Sequence, residues 1–433
     1  MTVDPRGVAA RLLLAAEGPG DFLENRLERD PAFVALPPVD RRLCQDLVYG
    51  SLRWQGTLDW LAEEAGAKRP PPPPARVLLR LGLYQLFWLD RIPEFAAVNE
   101  SVRLATTLGV RPLGAFINAV LRQACRDRPS LQGRLTALRV ENPPLGWSHP
   151  AWLVERWTRR FGPDSTGKLL AWNNSPPSTY VRCNTLKGTP EQLLESWKKE
   201  GVVSEPKAFP WVKDGLVHLI HPPGSLAALP SFMAGQFYVQ DPSTLLAVRE
   251  LDPQPGESIL DLCSAPGGKT THIAQQMGNQ GSILATDESS GRLDLLVENC
   301  ERLGVTCVTA RSTLKGEIPT AAFDRVLVDS PCSNTGVLRR RIQLRWRLRP
   351  EELDRLSRVQ LRLLLQAASA VRPGGRLVYS TCSLEAEENG TVIERFLEQN
   401  PAFQLLRTNQ LHPAVDGVDG AFVATLERHP NAD

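Results

Sequence analysis

Asp261-Leu262-Cys263-Ser264-Ala265-Pro266-Gly267-Gly268-Lys269-Thr270 leaves an apolar, β-rich run, Ser258 to Cys263, and enters a helical stretch. A strand that turns through two glycines into a helix opens a βαβ unit, and the glycines let the loop backbone approach a ligand closely. Two commoner nucleotide loops are disfavoured. A Walker A loop needs glycine where Cys263 stands, and the G-x-G-x-x-G spacing is absent. Further β-rich runs follow at Ser282 to Asp287, Val305 to Ala310, Phe323 to Asp329 and Arg376 to Thr381, separated by helical stretches. This alternation predicts a parallel, doubly wound α/β sheet with its ligands beyond the carboxyl ends of the strands.

The chemically distinctive residues fall at those ends. Asp287 closes the second strand, at the distance from the glycines where an acid takes the ribose hydroxyls of an adenosyl group. An isolated Asp there would be read as a helix cap; coupling to the glycine loop favours the ribose role. The fourth run ends Asp329-Ser330-Pro331-Cys332 and the fifth Ser380-Thr381-Cys382-Ser383, tips that a doubly wound sheet makes neighbours. Cys44, Cys125 and Cys183 read as packing residues. Two thiols past adjacent tips, one three residues after an Asp, suit covalent activation of cytosine. Carbon 5 of that ring is too weak a nucleophile until a thiolate adds to carbon 6. A carboxyl group such as Asp329 at nitrogen 3 stabilises the displaced charge, and a second group near the first thiol aids its release.

Working towards the N-terminus, the segment from Leu186 to Gly215 holds an amphipathic stretch, Pro190 to Glu200, and is flanked by strand-like runs Thr179 to Arg182 and Leu216 to Ile220, which predicts a small α+β domain. The first third is helical: Leu43, Leu47 and Val48, then Val77, Leu78, Leu81 and Tyr84, then Ile117, Val120 and Leu121 recur at helical spacing. Pro70 to Pro74 form a stiff spacer, with the next helix able to start at Ala75. The expected division is 1–141, 142–231 and 232–433. The 433 residues, 42% apolar, suffice for about three cores. A formal charge of +2 fits a nucleic-acid partner without requiring one. The eight cysteines form no C-x-x-C pair and no zinc-ligand spacing, so no metal site and a reducing, cytoplasmic setting are expected. Neither a signal peptide nor a membrane span is expected: Val8 to Ala16 is broken by Arg11, and no uncharged apolar run reaches about 20 residues.

Together these residues resemble the RNA 5-methylcytosine methyltransferases, in particular the RsmB (Sun/Fmu) branch, across nearly the whole chain. The motifs are Cys263 to Lys269, Asp287, Asp329 to Ser333 and Thr381 to Ser383. Leu47-Val48-Tyr49-Gly50, Leu81 to Leu86, Ala97 to Glu100 and Phe116 to Arg122 look like the NusB-type helical RNA-binding domain of that branch. Gln240-Asp241-Pro242-Ser243 and Asp419-Gly420-Ala421-Phe422 also match, weakly. The resemblance implies a NusB-like all-α bundle, a small α+β linker domain and a Rossmann-like catalytic domain that uses S-adenosylmethionine. It implies Cys382 as nucleophile and Cys332 as release residue, with Asp329 and Lys269 completing the catalytic set. Cys263, Ser264, Ala265, Pro266, Gly267, Gly268, Lys269, Asp287 and Asp329 would hold the cofactor. The implied partner of this monomer is 16S ribosomal RNA, naked or in an early small-subunit assembly intermediate.

Two features depart from the family. The third strand tip reads Ala310-Arg311-Ser312-Thr313 where an acid usually contacts the adenine side of the cofactor, so weaker cofactor binding is expected. Arg339, Arg340 and Arg341, followed by Arg345, Trp346, Arg347 and Arg349, are unusually basic; a solvated face is the alternative to the expected contact with RNA phosphates. The rival readings are a 5-methylcytosine methyltransferase for transfer RNA and a non-catalytic RNA-binding assembly factor. Intact Lys269, Asp329, Cys332 and Cys382 argue against the latter.

Overall fold

The computed structural model describes residues 4–18, 22–313 and 318–430. They form two compact units, Met1–Ser175 with Arg339–Arg347, and Pro176–Leu338 with Leu348–Asp433.

The first unit is helical. Leu47, Val48, Val77, Leu78, Leu81, Tyr84, Ile117, Val120 and Leu121 share one buried core, as their spacing predicts. The helices approach closely where glycines allow it: a Cβ on Gly50 would lie inside the Tyr84 ring, and one on Gly82 within 2.6 Å of Leu121. The helix Pro73–Trp88 starts two residues before Ala75, because prolines in a first turn forgo only N–H groups that have no partner there. Helices also continue past residue 141, through Pro143–Gly146 and Ala151–Phe161 to Pro163–Asn174. Gly56 N donates to Ser148 Oγ at 3.0 Å, the Thr57 hydroxyl to Leu145 O at 2.7 Å, and Trp54 stacks on Trp147. The expected boundary after residue 141 therefore lies inside one packed unit.

Arg339–Arg347 belongs to this unit, and that corrects the expectation that Arg339, Arg340 and Arg341 form one phosphate-facing cluster. Arg339 is buried with its guanidinium 4.0 Å from the Trp172 ring centroid. Arg340 is half-buried, and of the three only Arg341 is exposed. Ile342 enters the helical core, and Gln343 Oε1 accepts from Leu23 N at 2.8 Å. Arg345 is wholly buried and donates to Arg53 O, Ser148 O, Asn173 O and Asn174 Oδ1 over 2.8–3.2 Å. Its acceptors are carbonyls, so burial pulls its pKa well below the usual guanidinium range, with Arg53 adding to the effect. The run of arginines reads as basic in sequence because side-chain direction is invisible there.

The second unit holds two sheets. In the smaller, β1 (Tyr180–Cys183), β2 (Val203–Pro206), β3 (Val217–His221) and β4 (Phe237–Val239) pair antiparallel in the order β2-β3-β1-β4. The helix Pro190–Glu200 crosses it, started by a capping box of Thr189 and Gln192 and stopped by left-handed Gly201. The larger sheet contains β5 (Ser258–Leu262), β6 (Ser282–Asp287), β7 (Val308–Ser312), β8 (Phe323–Asp329), β9 (Val371–Thr381), β10 (Phe403–Leu411) and β11 (Ala421–Arg428). Its order is β10-β11-β9-β8-β5-β6-β7, with β5 to β9 parallel and the last two strands antiparallel. β7 starts three residues later than predicted. Gly304 takes a left-handed conformation and Val305 N returns to Cys300 O, so Val305 closes the preceding helix instead of opening the strand.

Candidate active site

The strand order reverses between β5 and β8, so a crevice opens beyond their carboxyl ends. Lys269, in the first turn of the helix Gly268–Gln276 that follows β5, places its Nζ 2.7 Å from Oδ2 of Asp329 at the tip of β8. Both side chains are partly buried. Burial pulls the Lys269 ammonium down, but the charge and hydrogen bond of Asp329, with Cys382 and Asp261 adding, raise it above its ordinary value. Lys269 therefore stays cationic at neutral pH.

The cofactor-type loop is held more by its own packing than the sequence implies. Gly267, at φ +100°, faces Leu296, which a Cβ would meet at 3.1 Å, and a Cβ on Gly268 would meet Tyr238 at 3.2 Å. Close helix and ring packing, as well as ligand approach, explains the glycines. Cys263 takes a left-handed conformation, and burial pushes its thiol up, so it is an inert part of the loop. Ser264 N and Oγ both donate to Thr286 O. Pro266 O accepts from Asn299 of the helix Ser290–Leu303. Asp287 is buried: Oδ2 accepts from Ala265 N at 3.2 Å and Oδ1 from Ser289 N at 3.0 Å, while Arg292 stands 3.6 Å away. The helix that follows is capped by Ser289, not Asp287. Each Asp287 oxygen keeps one further acceptor site, as a pair of ribose hydroxyls needs. The third strand tip offers no acid through Thr313; residues 314–317 lie outside the described ones.

β8 and β9 run side by side, Asp329 opposite Ser380, and their tips bring the two cysteines together: Cys332 Sγ lies 3.3 Å from Cys382 Sγ. The hydrogen bond to Cys382 and then burial hold the Cys332 thiol well above its ordinary value, so Cys332 keeps its proton. Asn334, unremarked in the sequence, orients the pair. At φ +57° its Oδ1 accepts from Cys382 Sγ at 3.0 Å and its Nδ2 donates to Cys332 O at 2.7 Å. Gly336 N donates to Cys382 O, and a Cβ on Gly336 would strike both that carbonyl and Gly420 at 2.7 Å. The two weakest sequence motifs meet here as well, since Asp419 N donates to Asp241 Oδ1.

Two further residues gain a role only from the structure. Asp261 is wholly buried, bonded to Thr270 at 2.6 Å, and burial pushes its carboxyl up to about 7. Arg182 of β1 is buried, donates to Gln240 Oε1, Gly268 O and Thr271 Oγ1, and so ties the small sheet to the start of the cofactor helix. An Asp inside a strand and an Arg before a Cys carry no pattern that marks them. Among the described residues no cluster of metal-ligating side chains is present.

A parallel sheet with this switch point, a glycine loop and an acid at the second strand tip define a Rossmann-like, S-adenosylmethionine-dependent methyltransferase. Residues 248–431 match the family described as 16S rRNA methyltransferase RsmB/F, residues 3–126 the NusB family, and residues 149–219 the RsmF/B-like ferredoxin-like domain. The chain is 40% identical, over 87% of its length and 84% of the relative's, to the probable ribosomal RNA small subunit methyltransferase B of Synechocystis. It is 33% identical to ribosomal RNA small subunit methyltransferase B of Klebsiella pneumoniae, over 99% of both chains. The chain belongs to this family of ribosomal RNA small subunit methyltransferases. Among solved structures, PH0851 is 27% identical with a TM-score of 0.78, covering 98% of this chain and 99% of that one. A methyltransferase homolog protein from Pyrococcus horikoshii is 30% identical with a TM-score of 0.56, covering 66% and 97%.

Proposed function

We propose that this protein methylates carbon 5 of a cytosine in 16S ribosomal RNA through a covalent adduct on Cys382. The observation that carries the reading is the pair of sulfurs 3.3 Å apart beside the Lys269–Asp329 pair. S-adenosylmethionine supplies the methyl group, and Asp287 with the 263–268 backbone would hold its adenosyl end. Cys382, aimed by Asn334, gives up its proton and adds to carbon 6 as the thiolate. The electron pair displaced into the ring is taken up at nitrogen 3, where Asp329 delivers a proton that balances the one Cys382 lost. Lys269 holds Asp329 in place and keeps a positive charge beside Cys382. Cys332 retains its proton in the resting state. Once relieved of it after methyl transfer, it takes the proton from carbon 5, the carbon 5–carbon 6 double bond re-forms, Cys382 leaves as the thiolate and nitrogen 3 returns its proton to Asp329. Naked RNA or an assembling small subunit fits this chemistry equally.

Bisulfite sequencing of 16S ribosomal RNA tests the reading. A deletion strain should lose one 5-methylcytosine, which the intact gene restores and Cys382→Ala does not. An unchanged 16S pattern with a lost methyl group in transfer RNA would assign the substrate elsewhere, and restoration by Cys382→Ala would end the covalent reading.

A further inference from the structure

The residues that follow the two cysteines are both serines, and both turn inward to one buried carboxylate. Glu388 is wholly buried. Its Oε2 accepts from the hydroxyls of Ser333, next to Cys332, and Ser383, next to Cys382. Its Oε1 accepts from Ser333 N at 2.8 Å and from Gln360 Nε2 at 3.0 Å, and Gln360 also donates to Pro331 O at 3.0 Å. Four donors thus fill the four acceptor sites of one ionised carboxylate. Burial pushes the Glu388 carboxyl up, and these hydrogen bonds act in the opposite sense. A buried charge is costly even when fully bonded, and an apolar side chain would fill the same space at less cost. What the carboxylate provides that an apolar residue cannot is a fixed register for the cysteine-bearing turns beyond the paired tips of β8 and β9, where the backbone joins the two loops through Ser330 N to Ser380 O and Gly336 N to Cys382 O.

We propose that Glu388 is a positioning residue that locks the Cys332 and Cys382 loops to each other, holding the two sulfurs at contact distance on one side of the site. It touches neither sulfur and acts through Ser333 and Ser383. The inference rests on the two-cysteine reading for its consequence in catalysis, but the clamp itself is a statement about geometry. Misplacing reacting groups by about 1 Å costs on the order of 100-fold in rate, so loss of the clamp should fall on turnover and leave cofactor binding intact.

The test is a direct measure of sulfur proximity in the full-length chain. Diamide takes two electrons and two protons from a pair of thiols, forming the S–S bond and leaving the hydrazine; the rate of Cys332–Cys382 pairing is followed by peptide mapping. Glu388→Ala should slow pairing and lower kcat by on the order of 100-fold with KM for S-adenosylmethionine unchanged. Glu388→Gln, which keeps one acceptor oxygen and a group both hydroxyls can turn to meet, should recover most of the pairing rate. Should Glu388→Ala fail to fold, Ser383→Ala decides the matter, with pairing slowed by about tenfold expected for one lost charge-assisted bond. Wild-type pairing and turnover in Glu388→Ala, or in Ser383→Ala if the former is unfolded, overturn the proposal. Failure of the covalent reading appears separately, as methylation by Cys382→Ala, and leaves the pairing measurement valid.

Discussion

Replacing Arg345 by Met separates a structural arginine from an RNA-binding one. The substitution keeps most of the volume but takes the donors from Arg53 O, Ser148 O, Asn173 O and Asn174 Oδ1, in a place where water does not reach. Each buried acceptor left without a donor costs about 1–3 kcal/mol. Part of that loss is recovered, because a cation bonded only to carbonyls no longer has to be kept from water. The net should resemble the rupture of a buried pair, about 3–5 kcal/mol. For a unit of this size that lowers the helical transition by roughly 10 °C. Differential scanning calorimetry of the whole chain reads it as a drop in one transition while the catalytic unit melts as before. Salt titrations of RNA binding, made below both transitions, should give an unchanged slope. Arg341→Gln should do the reverse: no change in melting, and a slope smaller by about one. Wild-type melting with a flattened slope in Arg345→Met would refute this account and return the whole segment to the RNA face.

Cys332→Ala should still attack and methylate but stall at elimination, leaving enzyme joined to RNA through Cys382 in a species that survives denaturing electrophoresis; trapping by Cys382→Ala instead would exchange the two roles. Asp287→Ala should weaken S-adenosylmethionine by about 10- to 100-fold in calorimetry while RNA binding is kept, as expected for charge-assisted hydrogen bonds; unchanged affinity would leave Asp287 only its bonds to Ala265 and Ser289. Asp261 should make stability depend on pH. Its folded carboxyl titrates near 7, above the ordinary carboxylate value, so the native state holds a proton that the unfolded chain has released. That contribution is present in acid and is lost as pH rises towards 7, at up to about 1.4 kcal/mol per pH unit. Denaturant melts of Asp261→Asn between pH 5 and 6.5 should lack this slope, and an identical slope in both proteins would exclude Asp261 as its source.

Much was legible in the sequence because it depends on local pattern. Alternation of β-rich and helical runs gives the parallel sheet, helical spacing gives the core of the first unit, and the Asp-x-x-Cys and Thr-Cys-Ser motifs lie at adjacent tips because strand order follows from that fold. What sequence could not supply was direction and distance. Whether the 339–347 arginines face water or carbonyls depends on where a loop of the catalytic half of the chain is packed, and Arg339 and Trp172 are far apart along the chain. The strands β10 and β11 went unread because β10 is a mostly exposed edge strand with no apolar run, and β11 pairs antiparallel on both sides, outside the β-α-β alternation. Asn334, Asp261 and Glu388 are ordinary polar residues in the sequence. Burial and long-range partners alone make them an orienting amide, a carboxyl raised to about 7 and a four-donor acceptor. Types and spacings fixed the chemistry available to the site; only tertiary packing, which removes water and joins distant loops, decided which charges are paired and how far apart the two sulfurs stand.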